Sequence, residues 1–299
     1  MLSEQSRRWI ETASGGRVVS VAVLPGATSS LLHSVEIDLG GHRRALVLRR
    51  FVNEEWVREE RDVAVREAAS LQHATRAGLA APELIAVDAR GTYCGVPATL
   101  VTRLPGNVVL EPGDFSQWIR GLAASAARIH RVDAAGFGWK YRRYNEGQTL
   151  IVPRWSKRRD AWEKAIEIVK GPAHSYSECF IHRDYHPSNV LWQDGGVSGV
   201  VDWVNGCRGP AGIDVAWCRH NLAKLHGPSV ADDFLAAYSA EAGSEFDYDP
   251  YWDLMSVVEL LPGPPSMYEG WRAAELPNIT DAIIRERIDE YVVSVVKRL

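Results

Sequence analysis

The segment FIHRDYHPSNVLW, residues 180–192, concentrates polar side chains between two apolar ends. Within it, Asp184 and Asn189 are five positions apart, and Asp202 follows thirteen residues later in GVVDW. A positioned carboxylate such as Asp184 can accept a proton from an attacking hydroxyl. Amide and carboxylate oxygens, such as those of Asn189 and Asp202, are ligands that suit Mg²⁺. These residue types at this spacing therefore indicate phosphoryl transfer, with Asp184 as the base and the other two as metal ligands.

Two short strands are predicted around the candidate metal ligands. NVLW (189–192) and SGVVDW (198–203) are separated by QDGG (193–196), which is a typical turn sequence. A hairpin brings the start of its first strand close to the end of its second strand. Asn189 and Asp202 are therefore expected to share one cation.

The same residues carry a family resemblance. HRDYHPSN (182–189) followed by VVDW (200–203) resembles the aminoglycoside phosphotransferase family, which has the protein-kinase-like fold. The common form in that family is His-x-Asp-x-x-x-x-Asn, with a further aspartate downstream. GPAGIDVAWCR (209–219) is similar to the next segment of the family, in which an aspartate, here Asp214, helps to fix the catalytic region.

Three residues near the base are expected to support the loop rather than to react. His182 is predicted to brace the loop through hydrogen bonds to the backbone. Arg183 either pairs with a nearby carboxylate or is solvated, and Asp214 is expected to be a buried brace or a helix cap. A lone Asp or His is usually a turn former, but three oxygen-bearing residues at kinase spacing make chance a poor explanation.

The resemblance also implies ATP or GTP as the co-substrate, together with Mg²⁺. The turn LPGATSSLLHSV (24–35) stands where the phosphates are expected, although it has no Gly-x-Gly-x-x-Gly. Its backbone amides, with the hydroxyls of Ser29 and Ser30, can hold phosphate oxygens. An ordinary polar hairpin explains this stretch equally well.

Further nucleotide-binding candidates lie on the third and fifth predicted strands and on the helix between them. Many family members have a lysine on the third strand. Side chains alternate on a strand, so only one of the adjacent Arg49 and Arg50 can point into the cleft, and alignment with the lysine of the family selects Arg49. Its expected partner is Glu67, unless that residue is a solvated helix carboxylate. The base is expected to bond to the backbone near Val101 and Arg103, which leaves ATP and GTP equally open.

The elements that position these residues are segregated along the chain. One helical stretch is predicted at 54–77, among strand-like stretches at 17–24, 30–39, 44–52, 83–89 and 97–104. The remainder is mostly helical, with candidates beginning at Asp114 and at 156–170, 230–242, 250–261 and 278–298. Order and resemblance together predict an α+β, bilobal, protein-kinase-like fold. Its small antiparallel nucleotide-binding lobe with one helix spans 1–103, and its mainly helical catalytic and substrate-binding lobe spans 104–299.

Composition limits the classes of function. The 299 residues carry a formal net charge of −4, which argues against nucleic acid or an anionic membrane as partner. No apolar run approaches the ~20 residues of a membrane helix, and the start lacks the apolar core of a signal peptide. The four cysteines form no Cys-x-x-Cys pair and are expected to be reduced thiols. A cytoplasmic protein is therefore expected, while its oligomeric state is left open.

The leading hypothesis is a Mg²⁺-dependent small-molecule kinase. It would transfer the γ-phosphate of a nucleoside triphosphate to a hydroxyl of an aminoglycoside-like, macrolide-like or amino-alcohol acceptor. The acidic stretch SEFDYDPYWDL (244–254) suits a cationic acceptor and the eleven tryptophans suit an apolar one, but a solvated loop and a core explain them as well. The alternative is a non-catalytic nucleotide-binding or interaction protein on the same fold. A protein kinase is disfavoured, because DW replaces Asp-Phe-Gly and no Ala-Pro-Glu follows.

Overall fold

The computed structural model describes residues 2–25, 30–144, 150–261, 263–268, 270–271, 276 and 279–299. The chain forms two compact units, Met1–Gly106 with Ser198–Asn205, and Asn107–Val197 with Gly206–Leu299. These units differ from the predicted lobes mainly in Ser198–Asn205, which packs with the first unit. Val204 of this segment joins a small core with residues such as Phe51 and Val63. None of the described helices is long and apolar enough to cross a membrane.

The first unit is built on a five-stranded antiparallel sheet, in the order β1-β2-β3-β5-β4. Alternating apolar residues on the long strands bury one face, as the alternation predicted: Val35, Ile37, Leu46 and Leu48 lie in its core. The strands are β1 (Arg17–Leu24), β2 (Leu31–Leu39), β3 (His42–Arg50), β4 (Leu84–Asp88) and β5 (Ala98–Thr102).

Three helices accompany this sheet, where the sequence predicted one over 54–77. The predicted helix is divided into α2 (Glu54–Glu59), which has no buried residue, and α3 (Val63–Arg76), which buries one face. The helix is interrupted at Glu60, whose backbone is not helical, while Trp56 and Val57 of α2 pack at the edge of the small core around Phe51. The helix α1 (Glu4–Ser14) was missed, although Ser3 caps its start and Gly15 its end.

The second unit is mainly helical, as predicted, which together with the antiparallel sheet of the first unit confirms the α+β class. Two small antiparallel pairings, β7 with β10 and β6 with β8, flank the loop that carries the polar motif. The helices are α4 (Phe115–His130), α5 (Arg159–Lys170), α6 (Ala211–His226), α7 (Pro228–Ala242), α8 (Pro250–Val258) and α9 (Asp281–Val296). The strands are β6 (Asn107–Val108), β7 (Glu178–Ile181), β8 (Val190–Gln193), β9 (Gly196–Val200), which ends in the first unit, and β10 (Cys207–Pro210).

Helix α6 is the central helix of the second unit. It packs against α7, α8 and α9 and against the turn Pro187–Asn189. Twelve of its sixteen residues are buried, so its apolar residues form no single stripe. The sequence therefore gave no periodic signal for it. This helix nevertheless positions several residues of the candidate site.

Candidate active site

The polar motif forms a loop that leaves β7 and enters β8 through the 3₁₀ turn Pro187–Asn189. Arg183 has a left-handed backbone with φ 67°, which is uncommon for a residue with a side chain. The fully buried Asp214 carboxylate accepts the N–H groups of His182 and Arg183, each at 2.7 Å. Asp214 lies in the first turn of α6, and His130 Nε2 also lies within hydrogen-bond distance of its carboxylate, at 3.2 Å. This aspartate thus fixes the strained backbone just before Asp184.

The Arg183 side chain is buried and paired with an acid. Its Nη2 donates to both carboxylate oxygens of Glu259, at 2.9 and 3.1 Å. Its guanidinium also lies over the ring of Tyr144, 3.9 Å from the centroid. Although burial lowers it, Tyr144 and Glu259 raise the pKa of Arg183 above its ordinary value. Burial raises the pKa of Glu259, and the charge of Arg183 opposes that shift.

Asp184, the predicted base, is oriented by two neutral donors. Trp217 Nε1 on α6 donates to Oδ1 at 2.8 Å, and Asn189 Nδ2 lies 3.3 Å from Oδ2. About a quarter of the side chain is exposed, 27%. His186 Nε2 lies 3.7 Å from Oδ1, a distance at which a protonated imidazole would form an ion pair. The carboxylate is therefore held in place while it stays open to a reacting group.

Asn189 is fixed by what its amide nitrogen donates. Nδ2 donates to the main-chain oxygen of Asp184 at 2.8 Å, and His186 Nε2 lies 3.3 Å from the same nitrogen. Because these contacts engage the nitrogen, the amide oxygen is the atom left to bind a cation. Asn189 can therefore offer a cation its amide oxygen, the kind of ligand atom that a hard cation requires.

In the first unit, Arg49 is the centre of a buried charge cluster. One guanidinium nitrogen, Nη1, donates to Glu67 Oε1 at 2.6 Å and to Asp202 Oδ1 at 2.7 Å. Glu67 also accepts from Thr99 Oγ1 at 2.6 Å, whereas a third of the Asp202 side chain is exposed, 31%. Although burial opposes it, Asp202 and Glu67 raise the pKa of Arg49 above its ordinary value. Its neighbour Arg50 instead donates to Cys94 O at 2.9 Å.

The other predicted nucleotide contacts are placed as follows. Ser29 lies outside the described residues, whereas Ser30 is buried and its Oγ accepts from Arg49 Nε at 3.0 Å. Val101 lies inside β5, where it pairs with residues of β3 and β4. The N–H of Arg103 donates to Ala45 O at 3.1 Å, so this amide is already used within the sheet. Of these residues, the structure joins Ser30 directly to the Arg49 cluster.

The protein residues suit a metal carried by a substrate rather than one held by a full protein cage. Among the described residues, no group of three or more His, Cys, Asp and Glu side chains could hold a metal ion. Magnesium in nucleotide sites is usually held by one or two protein oxygens, with phosphate oxygens and water completing the set. The Asn189 amide oxygen and the Asp202 carboxylate are oxygens of that kind.

The acidic stretch 244–254 serves the fold of the second unit. Asp253 is 1% exposed and accepts hydrogen bonds from Arg219 and from Tyr291 Oη. Asp249 caps α8, since its Oδ1 accepts from Tyr251 N at 2.9 Å. These two carboxylates therefore give no support to a cationic acceptor.

Sequence reasoning missed several residues around the motif. Trp217 lies three residues after Asp214 in the quoted family segment, and that spacing on one helix was the available signal. Glu259 follows α8, far from its partner Arg183 in sequence, and no local pattern pointed to it. Lys224 lies on the buried helix α6, which was itself missed.

Comparisons with known proteins show the family of the chain and confirm its predicted protein-kinase-like fold. A model of the phosphotransferase enzyme family matches residues 34–254. A homoserine kinase of Methylorubrum populi is 29% identical over 192 residues, 56% of this chain and 57% of that protein. The chain spans only about half the length of the curated relatives that it matches.

Solved structures resemble the whole chain in fold. An amicoumacin kinase in complex with AMP-PNP, Ca²⁺ and Ami has a TM-score of 0.64 at 14% identity, covering 99% of this chain and 94% of that one. A macrolide 2′-phosphotransferase of Brachybacterium faecium has a TM-score of 0.59 at 16% identity, covering 97% of each chain.

Proposed function

Because the chain belongs to the phosphotransferase enzyme family, we propose that it transfers the γ-phosphate of a nucleoside triphosphate to a hydroxyl of a small-molecule acceptor. One observation carries the proposal. Asp184 is held by Trp217 and Asn189, on a loop fixed by the buried Asp214, and its carboxylate is still partly exposed. A rigid, accessible carboxylate is what a general base for a hydroxyl needs.

Asp184 is the base in this proposal. Its carboxylate accepts a hydrogen bond from the acceptor hydroxyl and takes the proton as the oxygen attacks the γ-phosphorus. The new bond joins the acceptor oxygen to phosphorus, and the bond between phosphorus and the bridging oxygen breaks. The nucleoside diphosphate leaves with the electron pair of that bond.

Asn189 and Asp202 are the proposed ligands of the divalent cation, Mg²⁺. Asn189 would supply its amide oxygen, because its nitrogen is engaged with Asp184. Asp202 would supply a carboxylate oxygen, and the hydrogen bond from Arg49 fixes its side chain. A bound cation neutralises the charge that develops on the phosphate oxygens.

Arg49 is proposed to contact the nucleotide phosphates, with Ser29, Ser30 and backbone amides beside it. Its charge persists across the physiological pH range, and its guanidinium is fixed by Glu67. The base of the nucleotide is proposed to bond to the backbone near Val101 and Arg103. ATP and GTP are both candidates.

The acceptors to test first come from the comparisons. The curated relatives are named homoserine kinases, which makes hydroxylated amino acids the leading class. Structures of the same fold include an amicoumacin kinase and a macrolide 2′-phosphotransferase, so antibiotics with hydroxyl groups form the second class. Amino alcohols and aminoglycosides complete the panel.

The test measures nucleoside diphosphate release with ATP and with GTP, with and without each acceptor. Wild type should respond to at least one acceptor, and Asp184→Asn should reduce that turnover by about 10³-fold. The matched control is Asp194→Asn on the exposed turn between β8 and β9, where Asn tolerates the positive φ of 51°. Turnover of Asp184→Asn close to that of Asp194→Asn would overturn the assignment of the base.

The second candidate function is a non-catalytic nucleotide-binding or interaction protein on the same fold. Such a protein would bind a nucleotide without acceptor-dependent diphosphate release. The intact set Asp184, Asn189 and Asp202 favours the enzyme over this candidate. Nucleotide binding without turnover on the whole panel would favour the second candidate instead.

A further inference from the structure

Lys224 is a buried cation on the helix face that holds the base. It lies two turns after Trp217 on α6, with His220 between them, so the three side chains share one face. The rings of Trp217 and His220 are 4.7 Å apart. Side chains on a helix lean toward its N-terminus, which directs Lys224 toward Trp217 and hence toward Asp184. The same helix packs against the turn Pro187–Asn189.

The charges around Lys224 come from its own helix and from the motif loop. Lys224 is only 8% exposed, and burial lowers the pKa of its ammonium to about 8, while the Asp184 carboxylate raises it. The neighbouring His220 is fully buried, and burial lowers the pKa of its ring well below the usual value. His220 is therefore neutral at pH 7, and it supplies no negative charge to Lys224.

Within the described part of the chain, no Asp or Glu oxygen lies at ion-pair distance from Nζ of Lys224. The contacts that Arg287 makes with this residue go to its main-chain oxygen, at 2.8 Å. Among the described residues, the charge of Lys224 thus meets the more distant Asp184 carboxylate but no carboxylate at ion-pair distance, and such a buried charge is costly unless a ligand balances it.

We propose that Lys224 binds a carboxylate of the acceptor, so that the preferred substrates are small hydroxy acids or hydroxyamino acids. The inference rests on the proposed phosphoryl transfer and deepens it. The ammonium lies on the face that orients Asp184, so an acceptor anchored there by its carboxylate brings its hydroxyl toward the base. One lysine balances one negative charge, which suits a monoanionic carboxylate better than a phosphate dianion beside Asp184.

An acidic acceptor also fits the acidic stretch 244–254 better than a cationic acceptor does. Asp253 is paired with Arg219 and Asp249 caps α8, so neither of these two carboxylates supports a polyamine as the acceptor. Near Asp184, the charge of Arg183 is paired with Glu259, whereas the charge of Lys224 can attract an acid and repel an amine.

The experiment compares each acid with its neutral amide. Homoserine, serine, threonine and 4-hydroxybutyrate are each measured beside the corresponding primary carboxamide, using wild type, Lys224→Met and Lys224→Arg. Met keeps the length of the side chain and removes the charge, and it suits a buried site. Lys164→Met, on the exposed side of α5, is the control for loss of one lysine.

For the best acid, kcat/KM of wild type should exceed that of its amide by at least about 30-fold, since a buried charge pair is lost. In Lys224→Met the ratio should fall to within about threefold because the acid reacts more slowly, while Lys224→Arg should restore part of the preference. Lys164→Met should keep the wild-type ratio. Unchanged secondary structure by circular dichroism shows that each variant has folded.

Equal rates of wild type on acids and amides would overturn the inference and leave the proposed function intact. A ratio that Lys224→Met preserves would overturn it too. Turnover on uncharged or cationic acceptors alone would likewise overturn the inference and leave the proposed function intact. No acceptor-dependent turnover anywhere, in this set or in the wider panel, would overturn the proposed function and this inference with it.

Discussion

The two units hold the carboxylates of the candidate site in different ways. In the first unit, Glu67 and Asp202 both accept from one guanidinium nitrogen of Arg49, so each negative charge meets a permanent positive charge. In the second unit, Asp184 accepts from the indole of Trp217 and lies against the amide of Asn189, which are neutral donors. The ion pairs fix positions through opposite charges, whereas Trp217 and Asn189 fix the position of Asp184 without adding a positive charge.

This difference matches the proposed roles. A residue that presents phosphates or a cation has to keep its own charge and position, and a tight ion pair achieves both. A general base has to accept a proton, and an adjacent permanent cation would oppose that step. The second unit does contain a buried ion pair, but in it the guanidinium of Arg183 donates to Glu259 and not to Asp184.

The largest effect is expected from removing the cation of the first unit. Arg49→Met leaves Glu67 buried without its counter-charge, so the free energy of unfolding should fall by about 3 kcal/mol. Turnover should fall by about 100-fold or more, because the proposed phosphate contact is lost. Urea unfolding and steady-state kinetics measure the two effects.

The adjacent arginine is the control for this change. Arg50 lies on the other face of β3 and bonds to a main-chain oxygen, so Arg50→Met should cost no more than about 2 kcal/mol and leave turnover near wild type. Equal losses of turnover in the two variants would contradict the choice of Arg49 as the phosphate-binding arginine.

A smaller effect is expected at the buried ion pair of the second unit. Glu259→Gln leaves the Arg183 charge buried with a weaker acceptor, and the free energy of unfolding should fall by about 2–3 kcal/mol. The exposed Glu163→Gln on α5 should change it by no more than about 0.5 kcal/mol. Equal stabilities would show that the pair contributes little to the loop.

The sequence predicted those parts of the fold and site that depend on local patterns. The alternation on the β-strands predicted the first sheet, and the contiguous motif identified Asp184 and Asn189 as candidates. Alternation on β3 predicted that Arg49 and Arg50 point to different faces, as their separate partners show, whereas the choice of Arg49 rested on the family resemblance.

Other parts depend on contacts that leave no local pattern. Glu259 meets Arg183 from a distant segment, and a single glutamate at the end of a helix resembles any solvated one. Helix α6 is buried on nearly all sides, so its periodicity carried no signal, and Trp217 and Lys224 were hidden with it. The assignment of the segment Ser198–Asn205 to the first unit rests on its packing, for example that of Val204, which sequence order did not reveal.

A neutral donor is expected to matter less than an ion pair, and Trp217 tests this. Trp217→Phe keeps the ring and removes the hydrogen bond to Asp184, so kcat should fall by about tenfold while nucleotide binding is unchanged. Trp162→Phe, which loses a comparable bond to Asp289 on α9, should lower stability without changing kcat. A kcat of Trp217→Phe equal to that of Trp162→Phe would show that the indole does not position the base.

The smallest expected effect is a pH dependence of KM that distinguishes Lys224 from Arg49. Arg49 stays charged throughout the usual range, whereas burial lowers the pKa of Lys224 to about 8, against the raising effect of Asp184. Lys224 is charged below that pH and loses its charge above it, so KM for an acidic acceptor should rise about threefold between pH 7.5 and 8.5. Burial lowers the pKa of His220 well below its usual value, so this neighbouring ring stays neutral throughout and does not mask the change. Lys224→Arg should flatten the profile, and a rise that persists in this variant would place the titrating group elsewhere.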